Sequence, residues 1–110
     1  MKKLNIIKKE NEINEIINTG RRFYNKYYYI YNKENESNKY YRFCICVSKK
    51  LGNAVIRNKN KRQIKDIIDK SNLSFKRNQD YVIILRKDIN LLDFEGKRDE
   101  LLKLLKQLGE

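Results

Sequence analysis

Residues 40–70 read YYRFCICVSKKLGNAVIRNKNKRQIKDIIDK, and a change of rhythm inside them decides the fold. Up to Ser48 the chain alternates: Phe43, Ile45 and Val47 face one way, Cys44, Cys46 and Ser48 the other. That period of two predicts a strand over Tyr40–Ser48. After Gly52 the period becomes helical. Ile56, Ile64, Ile67 and Ile68 fall on one side of a helix running to about Lys70. A strand, a glycine-containing turn and an amphipathic helix in direct succession describe one unit of an α/β fold.

The segments on either side extend this unit. Upstream, Glu10–Thr19 predicts a short helix, with Ile13, Ile16 and Ile17 at i, i+3 and i+4, Asn11 as N-cap and Gly20 as its stop. Phe23–Tyr31 predicts an aromatic strand with Tyr27, Tyr29 and Tyr31 on one face and Tyr28 and Ile30 on the other. The polar stretch Asn32–Lys39 then reads as a turn, so the two strands are expected to pair as an antiparallel hairpin. A break near Asn25 would divide the aromatic segment and give three strands. Downstream, Asn72–Gln79 is a loop and Tyr81–Leu85 a strand apolar on both faces. Asp93 caps a last helix through Leu108, whose stripe is Leu101, Leu102, Leu104, Leu105 and Leu108. The order α-β-β-(β)-α-β-α predicts a two-layer α/β (α+β) sandwich forming one domain over residues 1–110.

Composition narrows the function. Lys and Arg number 26 against 14 acids, a net charge of +12, which calls for a polyanionic partner and for nucleic acid first. Hydrophobic residues reach 40%, enough to fold, so this is not a disordered basic tail. No stretch approaches the roughly 20 apolar residues of a membrane span, and no signal-peptide core follows Met1-Lys2-Lys3, so a cytoplasmic location is expected. The chain has no His. Ser–His and Cys–His nucleophile pairs are thereby excluded, along with most zinc sites, and neither a catalytic nor a metal-ligating set is expected. Cys44 and Cys46 read as reduced thiols on one strand face, and Asp66 and Asp69 as a solvated helix face.

The strongest local signal lies between Lys49 and Lys65, where seven basic residues (Lys49, Lys50, Arg57, Lys59, Lys61, Arg62 and Lys65) run without an acid. At 3.6 residues per turn, Arg57, Lys61, Arg62 and Lys65 occupy an arc of roughly 140° beside the isoleucine stripe. Like charges at i, i+4 repel by a few tenths of a kcal/mol per pair, and solvated helix faces ordinarily mix both signs. Phosphate binding explains such a surface: Arg57 and Arg62 offer forked donors, while Lys61 and Lys65 offer point charges.

The run KKLGNAVIRNKNKRQIK, with Arg57-Asn58-Lys59 inside it, resembles the signature of the bacterial ribonuclease P protein family. Ile7-Lys8-Lys9, Gly20, Tyr31, Arg42, Val47-Ser48-Lys49-Lys50, Asp80-Tyr81 and Arg86-Lys87 resemble the family at its spacing. The resemblance implies a central mixed sheet with a left-handed crossover through the basic helix. It implies two partners, the catalytic RNA of ribonuclease P and precursor tRNA. In the resembling proteins the RNA carries out the Mg²⁺-dependent removal of the 5′ leader, and the protein holds that leader. Carried over by position, the RNA-binding motif would comprise Lys49, Lys50, Gly52, Asn53, Arg57, Asn58, Lys59, Lys61, Arg62 and Lys65. The leader cleft would comprise Ile13, Ile17, Tyr31, Lys61 and Phe94. Ile13 and Ile17 stand where the family often has Phe, and Lys65 where it often has Arg. The alternative reading is a ribosomal or RNA-chaperone protein that binds structured RNA without assisting cleavage. A membrane-surface protein would need the isoleucine stripe that the core requires, and a self-contained nuclease would need catalytic side chains.

Overall fold

A computed structural model describes residues 1–108. Three helices, α1 (Glu10–Thr19), α2 (Ala54–Lys70) and α3 (Phe94–Leu108), surround four strands, β1 (Arg21–Tyr24), β2 (Tyr28–Glu34), β3 (Arg42–Cys46) and β4 (Gln79–Leu85). The strand order is β1-β2-β4-β3, with β1/β2 and β2/β4 antiparallel and β3/β4 parallel. The mixed α+β architecture expected from the sequence is present, and α2 forms the crossover between the two parallel strands.

The central place belongs to β4. Val82 and Ile83 are fully buried on opposite faces, which only an inner strand covered on both sides permits. This overturns the expected pairing of the aromatic strand with β3. The strands flank β4 instead, and the hairpin in this region is β1–β2. Its turn is set by Asn25, whose Oδ1 accepts from the amides of Tyr27 (2.8 Å) and Tyr28 (2.9 Å). Tyr27 therefore sits in the turn and packs with the α2/α3 side rather than beside Tyr29 and Tyr31. The β2–β3 connection crosses the end of β4 and is tied there. Asp80 accepts from Asn38 Nδ2 (2.7 Å) and from Arg42 Nε (2.9 Å) and Nη2 (2.8 Å).

On one face of the sheet, Ile64, Ile67 and Ile68 of α2 and Leu101, Leu104, Leu105 and Leu108 of α3 cover Tyr28, Ile30, Phe43, Tyr81, Ile83 and Leu85. This is the expected sandwich and the larger core. Asp93 caps α3 as read, accepting from the Gly96 amide at 2.8 Å. On the other face α1 alone provides cover. Ile16 is buried against Val82, with Ile13 and Ile17 beside it over Tyr31, Cys44, Cys46 and Ile84. The helix begins at Glu10, so Asn11 lies inside it rather than at its N-cap. Arg42 fixes α1 in place by reaching Glu12 (2.8 Å) as well as Asp80. One ten-residue helix cannot cover four strands, and the uncovered part of this face is the groove described next.

Candidate nucleic-acid interface

The basic helix is launched by a tightly built loop. A 3-10 turn over Lys49–Leu51 begins at Ser48, whose hydroxyl accepts from the Lys50 amide (3.2 Å). Gly52 follows at φ 145°, a backbone that favours glycine, and a Cβ there would meet the Ile56 side chain at 3.0 Å. Asn53 then caps α2, its Oδ1 accepting from the Ile56 amide at 3.0 Å. Gly52 and Asn53 thus set the loop's shape, while Lys49 and Lys50 stand exposed on it.

None of the seven basic residues from Lys49 to Lys65 is ion-paired with an acid among the described residues. Asp66, which follows the run, pairs with Lys70 one turn further along α2 (3.2 Å). The buried Nε of Arg57 has no hydrogen-bond partner, so its guanidinium carries donor capacity that the protein leaves unused. Asn60, almost fully buried, anchors this part of α2: its Nδ2 donates to the Ile56 carbonyl at 3.1 Å. The sequence reading missed one further cation, Lys97 on α3. Burial and then the nearby charge of Lys59 hold its ammonium below the ordinary lysine range, and it donates to Gln63 Oε1 at 2.8 Å.

The second part of the site is the α1 face of the sheet. Strand register places Tyr24 opposite Tyr29, Tyr29 opposite Ile84, and Ile84 opposite Cys46, one row across all four strands. At about 4.8 Å per strand the row spans about 14 Å. The adjacent row is Arg22, Tyr31, Val82 and Cys44. Ile13, Ile17 and Tyr31 come together along this groove as the sequence proposed. Lys61 and Lys65 are half-buried on α2, and their positive charge favours the ionised form of the Cys44 thiol, that of Lys61 the ionised form of Cys46 as well. Phe94 does not join them. It opens α3 and lines a depression with Asp66, Ile67 and Lys70, on the α2/α3 side of the molecule.

At the β1–β2 end the groove carries residues that the sequence reading did not single out. Arg22 lies over Tyr24 (5.2 Å) and Tyr29 (5.8 Å), Arg86 lies over Tyr29 (4.5 Å), and Tyr24 is 58% exposed. Neither arginine is paired with an acid among the described residues. Only the β1–β2 pairing, invisible while the aromatic segment reads as one strand, brings Tyr24 and Arg22 beside Tyr29. The groove therefore has cations at both ends and aromatic and aliphatic surface between them.

No three His, Cys, Asp or Glu side chains gather into a ligand set among the described residues. Asp80 and Glu12 are held by Arg42, and Glu15 pairs with Lys33. No helix described is long and apolar enough to cross a membrane. The fold and the acid-free basic run define a protein suited to binding a phosphate polymer. Residues 1–109 match the family model for ribonuclease P. The chain belongs to the ribonuclease P protein family. It is 39% identical over 106 residues to the ribonuclease P protein component of Streptococcus pneumoniae (strain Hungary19A-6), covering 96% of this chain and 85% of that one. Its structure is similar to that of the RNase P protein of Staphylococcus aureus, with a TM-score of 0.84, 31% identity and 94% of each chain covered. It is also similar to the RNase P protein of Thermotoga maritima, with a TM-score of 0.80, 30% identity, and 92% and 94% of the two chains covered.

Proposed function

We propose that this chain acts, as one domain, as the protein subunit of a ribonuclease P, binding a catalytic RNA and the 5′ leader of precursor tRNA during removal of that leader. Hydrolysis is assigned to the RNA, with Mg²⁺ held mainly by the RNA; this reading is supported by the cations and stacking surface that the chain offers, with no three His, Cys, Asp or Glu side chains gathered among the described residues. The single observation that carries the reading is the run of seven cations from Lys49 to Lys65, unpaired with acids and adjoining the groove through Lys61.

The division of labour follows from side-chain chemistry. Arg57, Arg62 and the exposed lysines of the loop and helix contact phosphates of the folded RNA, with Asn58 and Lys59 on the same exposed surface. The leader, being single-stranded, lies across the sheet, where Tyr31, Tyr29 and Tyr24 offer π-faces worth about 1–3 kcal/mol per stacked base. Ile13 and Ile17 supply apolar contact rather than stacking. Lys61 serves both surfaces. By lending positive charge to the complex, the protein lowers the Mg²⁺ concentration at which the RNA folds and holds substrate.

Reconstitution with a ribonuclease P RNA at limiting Mg²⁺ tests this. Cleavage of precursor tRNA should be stimulated by the wild-type chain and much less by the Arg57→Ala/Arg62→Ala double variant. RNA binding without any stimulation would favour the RNA-chaperone reading instead.

A further inference from the structure

Two arginines converge at the β1–β2 end of the groove, apart from the basic run of α2. Arg22 lies opposite Tyr31 in the strand register, Tyr24 lies opposite Tyr29, and the Arg86 amide donates to the Tyr27 carbonyl at 2.8 Å. Arg22 and Arg86 therefore reach Tyr29 from diagonally opposite corners, one from β1 and the other from just past β4. The guanidinium carbon of Arg86 stands 4.5 Å from the centre of the Tyr29 ring and that of Arg22 5.8 Å. Arg22 is also 5.2 Å from the Tyr24 ring, whose centre is 6.1 Å from that of Tyr29. Such stacking engages the flat face of a guanidinium and leaves its in-plane N–H donors for other partners. Among the described residues, Arg86 spends Nη1 on the Asn25 carbonyl (2.6 Å), and the Arg22 side chain spends no donor at all. Asp88, two residues past Arg86, is paired with Lys26 instead (3.9 Å).

One arginine over a tyrosine is an ordinary surface contact. Two gathered about a single ring, with no carboxylate paired to either among the described residues, repel each other, and an anion held between their edges removes that cost. A phosphate group suits the forked donors of a guanidinium. We propose that Arg22 and Arg86 form a phosphate clamp for single-stranded RNA, with Tyr24, 58% exposed, as the neighbouring ring for the attached base. The unit bound is a whole nucleotide, and Tyr29 is the positioning residue that carries both guanidiniums. The clamp stands at an edge strand, where a chain crossing the sheet leaves it. Its ligand is a phosphate of the leader, whether an internal phosphodiester or the 5′-terminal phosphates of a leader that ends at this point. That the RNA is a leader rests on the function proposed above; the affinity of the clamp for the phosphate of single-stranded RNA does not.

The experiment measures binding of short single-stranded RNA oligonucleotides to the full chain by fluorescence anisotropy across a salt series. Arg22→Gln should make the dependence of log affinity on log salt shallower by about 0.7, and Arg22→Gln/Arg86→Gln by about 1.4, one and two phosphate contacts. The double variant should also bind about tenfold more weakly at low salt. Lys103→Gln, which removes an equal charge from α3, should keep the wild-type slope. Arg86 also ties the Asn25 carbonyl, so melting temperatures are read alongside, and Arg22→Gln carries the test by itself if the double variant fails to fold. A wild-type slope in Arg22→Gln overturns the clamp, and so does an equal change in Lys103→Gln. Oligonucleotides bearing a 5′-triphosphate or a 5′-hydroxyl distinguish the two sources. Tighter binding of the triphosphate that disappears in Arg22→Gln assigns the clamp to the RNA terminus; equal binding by wild type, with the slope change intact, assigns it to an internal phosphodiester. A wild-type holoenzyme that fails to distinguish precursor from mature tRNA would overturn the proposed function instead and leave the oligonucleotide result standing.

Discussion

Replacing Arg42 with Met should expose how this fold holds α1 against the sheet. Arg42 donates to both carboxylate oxygens of Asp80 and to Glu12, at 2.8–2.9 Å. The Asp80 side chain is 3% exposed, so removing the guanidinium strands a carboxylate away from water. Breaking such a buried pair costs about 3–5 kcal/mol. Here Asp80 keeps amide donors from Asn38 (2.7 Å) and, more weakly, Asn35 (3.4 Å), and Glu12 can turn to solvent. The lower end applies, about 3 kcal/mol. At about 4 °C per kcal/mol for a chain of this size, the melting temperature should drop by about 12 °C. Urea unfolding monitored by circular dichroism reads the free energy directly. Asp80→Asn in the Arg42→Met background should restore part of the loss, because the buried charge is gone; the two changes are therefore strongly non-additive. A loss below about 1 kcal/mol for Arg42→Met, or simple additivity, would refute the picture of a buried ion pair at this corner.

Three further outcomes follow from other parts of the molecule. Arg57→Ala/Arg62→Ala should flatten the salt dependence of binding to the catalytic RNA by about 1.4–1.8 in slope, two phosphate contacts' worth, while the melting temperature stays close to wild type; filter binding across a salt series reads it. Gly20→Ala should destabilise by about 1–3 kcal/mol in urea titration, because the new Cβ would lie 2.6 Å from the Ile16 carbonyl oxygen and 2.8 Å from that of Asn32, both backbone. Tyr24→Leu should weaken binding of precursor tRNA with a long leader while sparing one whose leader stops short of the β1–β2 end, as read by affinity against leader length.

Much of the fold was legible because its signals are periodic. The helical stripes of α2 and α3 and the two-sided apolar run of β4 each specify an element and the faces it buries. What alternation does not encode is which strand lies next to which. The hairpin expected between the aromatic strand and β3 gave way because β4, apolar on both sides, takes the interior, and Asp80 gathers Asn38 and Arg42 across its end. The site divided in the same way. The basic residues from Lys49 to Lys65 were readable as a contiguous, acid-free run, and Ile13, Ile17 and Tyr31 do meet. Phe94 was assigned to the cleft by position in the resembling family, yet it begins a helix packed on the opposite side of the sheet. Arg22, Tyr24 and Arg86 come together only through strand register, and a break at Asn25 is what creates that register.

The most direct measurement compares the affinities of the holoenzyme for precursor and mature tRNA, with wild-type chain and with Tyr31→Ala. The wild-type complex should prefer the precursor, and Tyr31→Ala should cut that preference by about 1–3 kcal/mol while mature tRNA binds as before. Equal weakening for both ligands, or no preference in the wild type, would contradict a leader groove on this face of the sheet.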